Sequence, residues 1–134
     1  MKFNYLNKQY SISLDKFAKP KNKCSKLHKT VRLLLKELFP FDILLEEFPL
    51  PGIKPKLYAD FFLPSQNLAV EAHGEQHFKD NRFFFKNKQK FLLACNNDRK
   101  KIDWFYQNNI DLIALHYNES IDEWRTKIIQ RNVE

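Results

Sequence analysis

Asp60, Glu71 and His73 are the residues of this chain whose types and spacing could do chemistry together. Asp60 lies in the apolar run "KLYADFFL", and Glu71 and His73 lie in "LAVEAHGEQHF", where Gln76 and His77 follow. The chain holds 2 Gly and 4 His in all, yet this stretch takes one of the glycines and two of the histidines. If both runs are strands, alternation puts Tyr58, Asp60 and Phe62 on one face of the first and Ala69, Glu71 and His73 on one face of the second. The connection "PSQN" is short enough to pair the two, which brings Asp60 beside Glu71 or His73. Two acids and an imidazole suit a hard divalent cation such as Mg2+, with Mn2+ as a substitute. Such an ion lowers the pKa of a bound water and neutralises a phosphate under attack.

An acidic residue in a strand ordinarily sits on a solvated face. The neighbours here point elsewhere. "ADFFL" and "LAVEA" are apolar on both sides, as in buried central strands. A buried carboxylate requires a partner or a metal.

The elements that must position these groups are readable in outline. From Ser25 the leucine spacing is helical, with Leu27, Val31, Leu34, Leu35 and Leu38 recurring at steps of three and four, and Pro40 closes the helix. "DILLEEFPL" at 42–50 reads as a strand, "PGIKP" at 51–55 as a turn, and 56–63 and 68–73 as two further strands in an antiparallel meander. Residues 81–109 read as largely helical, broken near "CNND" at 95–98 and stopped by Asn in "NNI". "IDLIALHY" at 110–117 reads as a fourth, buried strand. Ser120 and Glu123 form a capping box for a last helix with Ile121, Trp124 and Ile128 on one face. The order is αβββαβ(α), an α/β core with a mixed central sheet flanked by helices.

At 134 residues the chain is expected to be one domain, with residues 1–19 a loosely attached arm or hairpin ahead of "KPKNK". The net charge of +7 and pI near 9.4 attract polyanions. No apolar run approaches the roughly 20 residues of a membrane span, and the N-terminus lacks a signal-peptide core. Cys24 and Cys95 have no metal-binding spacing, so a reduced, cytoplasmic setting is expected. Lysines 16, 19, 21 and 23 lead into Lys26, Lys29, Arg32 and Lys36 on the first helix, a basic tract expected to hold phosphates. Lys79, Arg82, Lys86 and Lys88 interleave with Phe83, Phe84 and Phe85 in a second basic, aromatic zone. At least one of those phenylalanines is expected to wedge between bases or pack on a second subunit.

The stretch "LYADFFLPSQNLAVEAHGEQHF" resembles the core of PD-(D/E)XK-superfamily nucleases. A lysine usually stands two residues after the second acid, and here His73 takes that place. That departure resembles the very-short-patch-repair endonucleases and the phage EDxHD homing endonucleases, whose sites use histidine. "NDRKKIDWFYQNNIDLIALHY" is similar to the helix and strand that follow in these enzymes, so the resemblance covers about residues 40–120. It implies a restriction-endonuclease-like core and a Mg2+-dependent DNA endonuclease of homing or repair type, phage or mobile-element encoded. It implies Asp60 as a direct metal ligand and Glu71, or the carbonyl beside it, as the second. His73 would activate water or polarise the phosphate, and Gln76 and His77 would orient water or protonate the leaving oxygen. The upstream acid is Glu46 or Glu47, with Glu47 favoured, and Asp98 is the last acid. Lys101 would be the displaced lysine, reaching back to the phosphate. A chain this short either dimerises to span a long DNA site or recognises structure. The competing readings are a non-catalytic nucleic-acid-binding module on a decayed nuclease fold, and a structure-specific junction or RNA nuclease.

Overall fold

The computed structural model describes residues 1–74 and 88–132. Ser25 caps the first helix, α1 (Lys26–Leu38), by accepting the His28 amide on its hydroxyl. The leucine spacing then buries Val31, Leu34 and Leu35 on one side of α1. Strands β3 (Leu45–Pro49), β4 (Tyr58–Leu63) and β5 (Leu68–His73) follow as the expected meander. Each pairs antiparallel with the next. Helix α2 (Lys88–Gln107) crosses over to β6 (Asp111–His116), which lies parallel to β5. The sheet order is β3-β4-β5-β6, a mixed sheet of the expected kind. Helix α3 (Ile121–Ile129) closes the chain, with Ser120 accepting the Glu123 amide. Among the described residues no helix is long and apolar enough to cross a membrane.

The sheet is covered on both faces. On one, α1 and α3 pack Val31, Leu35, Trp124 and Ile128 against Phe61, Leu63, Leu68, Val70 and Leu115. On the other, α2 brings Trp104 and Phe105 against Phe48, Phe62 and Ala69.

The N-terminal segment is part of that second layer. Strands β1 (Lys2–Tyr5) and β2 (Lys8–Ser11) form a hairpin whose turn residues Leu6 and Asn7 have φ of 49° and 66°. Phe3 is 1% exposed and its ring lies within 5.1–6.1 Å of those of Phe48, Phe62 and Trp104. The Asn4 amide donates to Asn108 Oδ1 (2.7 Å) and the Leu6 amide to Gln107 Oε1 (3.2 Å). The hairpin is docked rather than loose.

Three further expectations are corrected. Helix α2 runs unbroken through 95–98, because Trp104 and Lys100 anchor it onto the 51–54 loop and override the weak propensity of "CNND". It stops where expected: Asn109 at φ 54° directs the Ile110 amide back to the Phe105 carbonyl. Strand β6 is an edge strand, half-covered instead of buried, with Leu115 its one buried residue. On α3, Trp124 and Ile128 face the core while Ile121 stays exposed.

Phe3→Ala is expected to destabilise the whole protein by about 3–5 kcal/mol, since the ring leaves a cavity at the junction of hairpin, sheet and α2. Urea unfolding followed by tryptophan fluorescence checks this. An unchanged midpoint would mean that the hairpin contributes nothing to the core.

Candidate active site

The register of β4 against β5 runs Leu63 to Leu68, Phe62 to Ala69 and Phe61 to Val70. The next position places Asp60 opposite Glu71, and there carboxylates replace carbonyls as acceptors. The Asp60 amide donates to Glu71 Oε2 (3.2 Å), and the Ala72 amide donates to Asp60 Oδ2 (2.9 Å). Each acid is thus fixed by the backbone of the other's strand. Lys101, mid-way along α2, forms an ion pair with Glu71 Oε1. A carboxyl pair from neighbouring strands and an ammonium from the crossover helix therefore meet beside β4 and β5.

Glu71 is 6% exposed. Burial is the largest influence on it, and the Asp60 charge adds to the same direction. Lys101 opposes them, and the balance leaves the Glu71 carboxyl pushed up to about 8. At neutral pH the pair therefore holds a proton. Two carboxyls that must share a proton are a place where a divalent cation relieves repulsion. Among the described residues no group of three or more His, Cys, Asp or Glu could hold a metal ion. The donor set fits Mg2+, which is commonly held by one or two carboxylates with water and substrate phosphate completing its shell.

An open hollow of about 460 Å³ adjoins this pair, with Asp60, Ala72, His28, Lys21 and Lys23 among its walls. His28, which the sequence gave no reason to single out, is 5% exposed and stacked on Phe61 at 4.2 Å. Its Nε2 donates to Glu46 Oε1 (2.8 Å). Glu46 also takes Arg32 Nε (2.7 Å), Arg32 Nη2 (2.8 Å) and the Lys21 amide (3.1 Å). Burial works to raise the Glu46 carboxyl, but the Arg32 and His28 hydrogen bonds outweigh it and hold it below its usual value. The bond to Glu46 in turn raises the Arg32 guanidinium. Arg32 is therefore a structural cation, not one of the phosphate contacts expected on α1. Lys26, Lys29 and Lys36 stay exposed there.

Glu46 is engaged by Arg32 and His28, and Glu47 is the other upstream candidate. It stands opposite Asp60, between the pairs Glu46–Phe61 and Phe48–Ala59. Its backbone is left-handed at φ 50°, strained for a residue with a Cβ. That twist breaks strand alternation, so Leu45 and Phe48 enter one core cluster while Glu46 turns to α1. The Glu47 carboxylate lies 3.1 Å from Lys21 Nζ, an ion pair without hydrogen-bond alignment.

His73 projects two residues beyond Glu71, half-buried, and its ring meets His116 edge-on at 5.3 Å. Asp98 is solvent-exposed, one turn before Lys101. Gln76, His77, Lys79, Arg82, Lys86 and the Lys88 side chain lie outside the described residues.

The raised Glu71 has a defined sign in stability. Folded protein keeps a proton that the unfolded chain releases near the ordinary carboxyl value, so the stability contributed by Glu71 is full below about pH 4.5 and declines as pH rises toward 8. Glu71→Gln is expected to flatten that decline, which should amount to a few kcal/mol in the parent. Thermal melts from pH 4.5 to 8.5 check this, and parallel slopes for the two proteins would show that Glu71 does not titrate as described.

No family model matches the chain, and no solved structure matches it. Over 67 residues it is 31% identical to the uncharacterized protein 033L of Invertebrate iridescent virus 3. The match takes in 50% of this chain and 34% of the viral protein, so the chain spans about a third of that relative's length.

Proposed function

We propose that the protein is a Mg2+-dependent endonuclease that hydrolyses phosphodiester bonds in DNA, with Asp60, Glu71 and Lys101 at its centre. The convergence of the two carboxyls with the α2 ammonium carries this reading. A bound Mg2+ would supply Lewis-acid charge at the phosphate and a more acidic water.

The chain's own residues have separable tasks. Asp60 and Glu71 offer hard oxygen donors already held in place by the facing strands' amides. The ionised Glu71 carboxylate would be favoured by a bound cation, its proton passing to solvent. Lys101 offsets the Glu71 charge and would offer its ammonium to a phosphoryl oxygen. Lys21 and Lys23 border the hollow beside Asp60, and Lys26, Lys29 and Lys36 extend the positive surface along α1. With a net charge of +7, these give the field that draws in a polyanion. His73 lies two residues beyond Glu71 on β5, its ring against that of His116 on β6, and is the imidazole assigned to proton transfer. The choice of DNA and of homing or repair chemistry follows the resemblance of the 57–78 block, the cytoplasmic setting follows the two free cysteines, and the viral relative accords with a gene carried by a virus or mobile element.

Supercoiled plasmid is expected to be nicked in Mg2+ and left intact in EDTA. Asp60→Asn and Lys101→Met should each lower the rate by at least about 100-fold without loss of fold. Equal nicking by parent and Asp60→Asn, from matched preparations, would reject the assignment.

A further inference from the structure

A second concavity lies on the α2 side of the sheet. The N-terminal hairpin and the β3–β4 connection enclose a cleft of about 620 Å³, within the range of pockets that hold a small organic ligand. Tyr10 and Phe17 give it aromatic walls, and Lys16, Lys54 and Lys56 give it cations. None of its described lining residues is acidic.

Its shape has a local cause. Gly52 has φ +92°, and a Cβ there would stand 2.6 Å from the Tyr10 ring, so the glycine lets the loop lie directly against that ring. Two lysines already sit over aromatic faces at this end. Lys16 Nζ is 5.2 Å from the Phe17 centroid, and Lys56 Nζ is 5.6 Å from that of Tyr58.

The cleft is also tied to the acid pair. Lys100 Nζ donates to the Lys54 carbonyl (2.9 Å), and the next residue, Lys101, pairs with Glu71. Lys56, two residues before β4, precedes Asp60 by four residues, at most about 13 Å of extended chain. One helix and one strand thus bridge the two places.

We infer that this cleft binds an unpaired nucleotide of the nucleic acid acted on at Asp60 and Glu71, the base against Tyr10 and Phe17 and the phosphates against Lys16, Lys54 and Lys56. The inference rests on the nuclease reading for its partner. A duplex is too wide to enter a concave site of this size, and inorganic phosphate would leave the aromatic walls unused. Cations interleaved with aromatic faces are what single-stranded nucleic acid selects. The substrate class that follows is DNA with unpaired nucleotides beside the cut, such as an overhang, flap or branch.

Fluorescence anisotropy on the full chain, in EDTA so that nothing is cut, tests it. Three probes serve: a blunt duplex, the same duplex with a three-nucleotide overhang, and the single strand. The parent protein should prefer the overhang and the single strand to the blunt duplex by about tenfold. Lys54→Glu/Lys56→Glu, at two exposed positions, should abolish that preference, and Tyr10→Leu should reduce it without a change of charge. Lys29→Glu should weaken all three probes alike and keep the ratio. Equal affinity of the parent for all probes overturns the inference, as does an unchanged ratio in the lysine double variant. Polyglutamate competing as well as single-stranded DNA would also overturn it, marking a general polyanion surface. Asp60→Asn separates the two ideas: it should lose cutting and keep the ratio. Undiminished cutting by Asp60→Asn would remove the nuclease reading while leaving the affinity ratios to decide the cleft.

Discussion

The opposition of Asp60 and Glu71 across β4 and β5 is the constraint on which the site depends. It is set by a four-residue connection, a short 3-10 turn over Pro64–Gln66 closed by Asn67 in a left-handed conformation. The Asn67 carbonyl accepts the Asp111 amide at 2.8 Å, so the same turn aligns β6. A slip of one residue would move every side chain of β5 to the other face and part the two acids. The apolar residues on both sides of the sheet make such a slip costly. A well-packed core is therefore what forces two like charges together, against their own preference.

Two buried glutamates on one sheet show how differently a protein can treat the same group. Glu46 receives a guanidinium, an imidazole and a backbone amide, and its charge is fully answered. Removing Arg32 would leave an uncompensated buried charge, so the arrangement fastens α1 to β3. Glu71 has one cation and, beside it, another acid. It is the group left with an unmet electrostatic demand, and such demands are characteristic of places where ligands bind or bonds are broken. Glu47 completes the contrast. Its left-handed backbone is what brings Phe48 to the side of Leu45 while Glu46 turns to α1.

Local signals carried much of the architecture. Strand β5 was legible to its end residues because apolar side chains occupy both faces, and α1 because its leucines keep helical spacing behind a capping serine. The Asn109 stop was readable for the same reason: few residues tolerate a positive φ. Arg32 was misread because its spacing with Lys29 and Lys36 puts all three on one helical face. Nothing nearby in the chain reveals a glutamate fourteen residues on that claims it. The break foreseen in α2 failed similarly, since contacts to the 51–54 loop outweigh local propensity. Of the site, the acid pair was visible as two apolar runs joined by a tight turn. The lysine was visible only as a candidate, because α2 must cross the whole sheet to deliver it. The Phe3-x-Tyr5 alternation was the available clue that the first residues belong to the core.

The clasp between the first strand and the end of α2 also dictates an order of assembly. Asn4 and Asn108 bind each other through backbone and side chain across 104 residues of sequence. A nascent chain leaving the ribosome can form its amino-terminal hairpin early, but that hairpin has nothing to dock on until the segment carrying Trp104 and Asn108 has emerged. Sheet, crossover helix and hairpin must then close together, late, with loop-closure entropy already spent. The apolar face of the hairpin, Phe3 and Tyr5, stays uncovered until that segment has emerged.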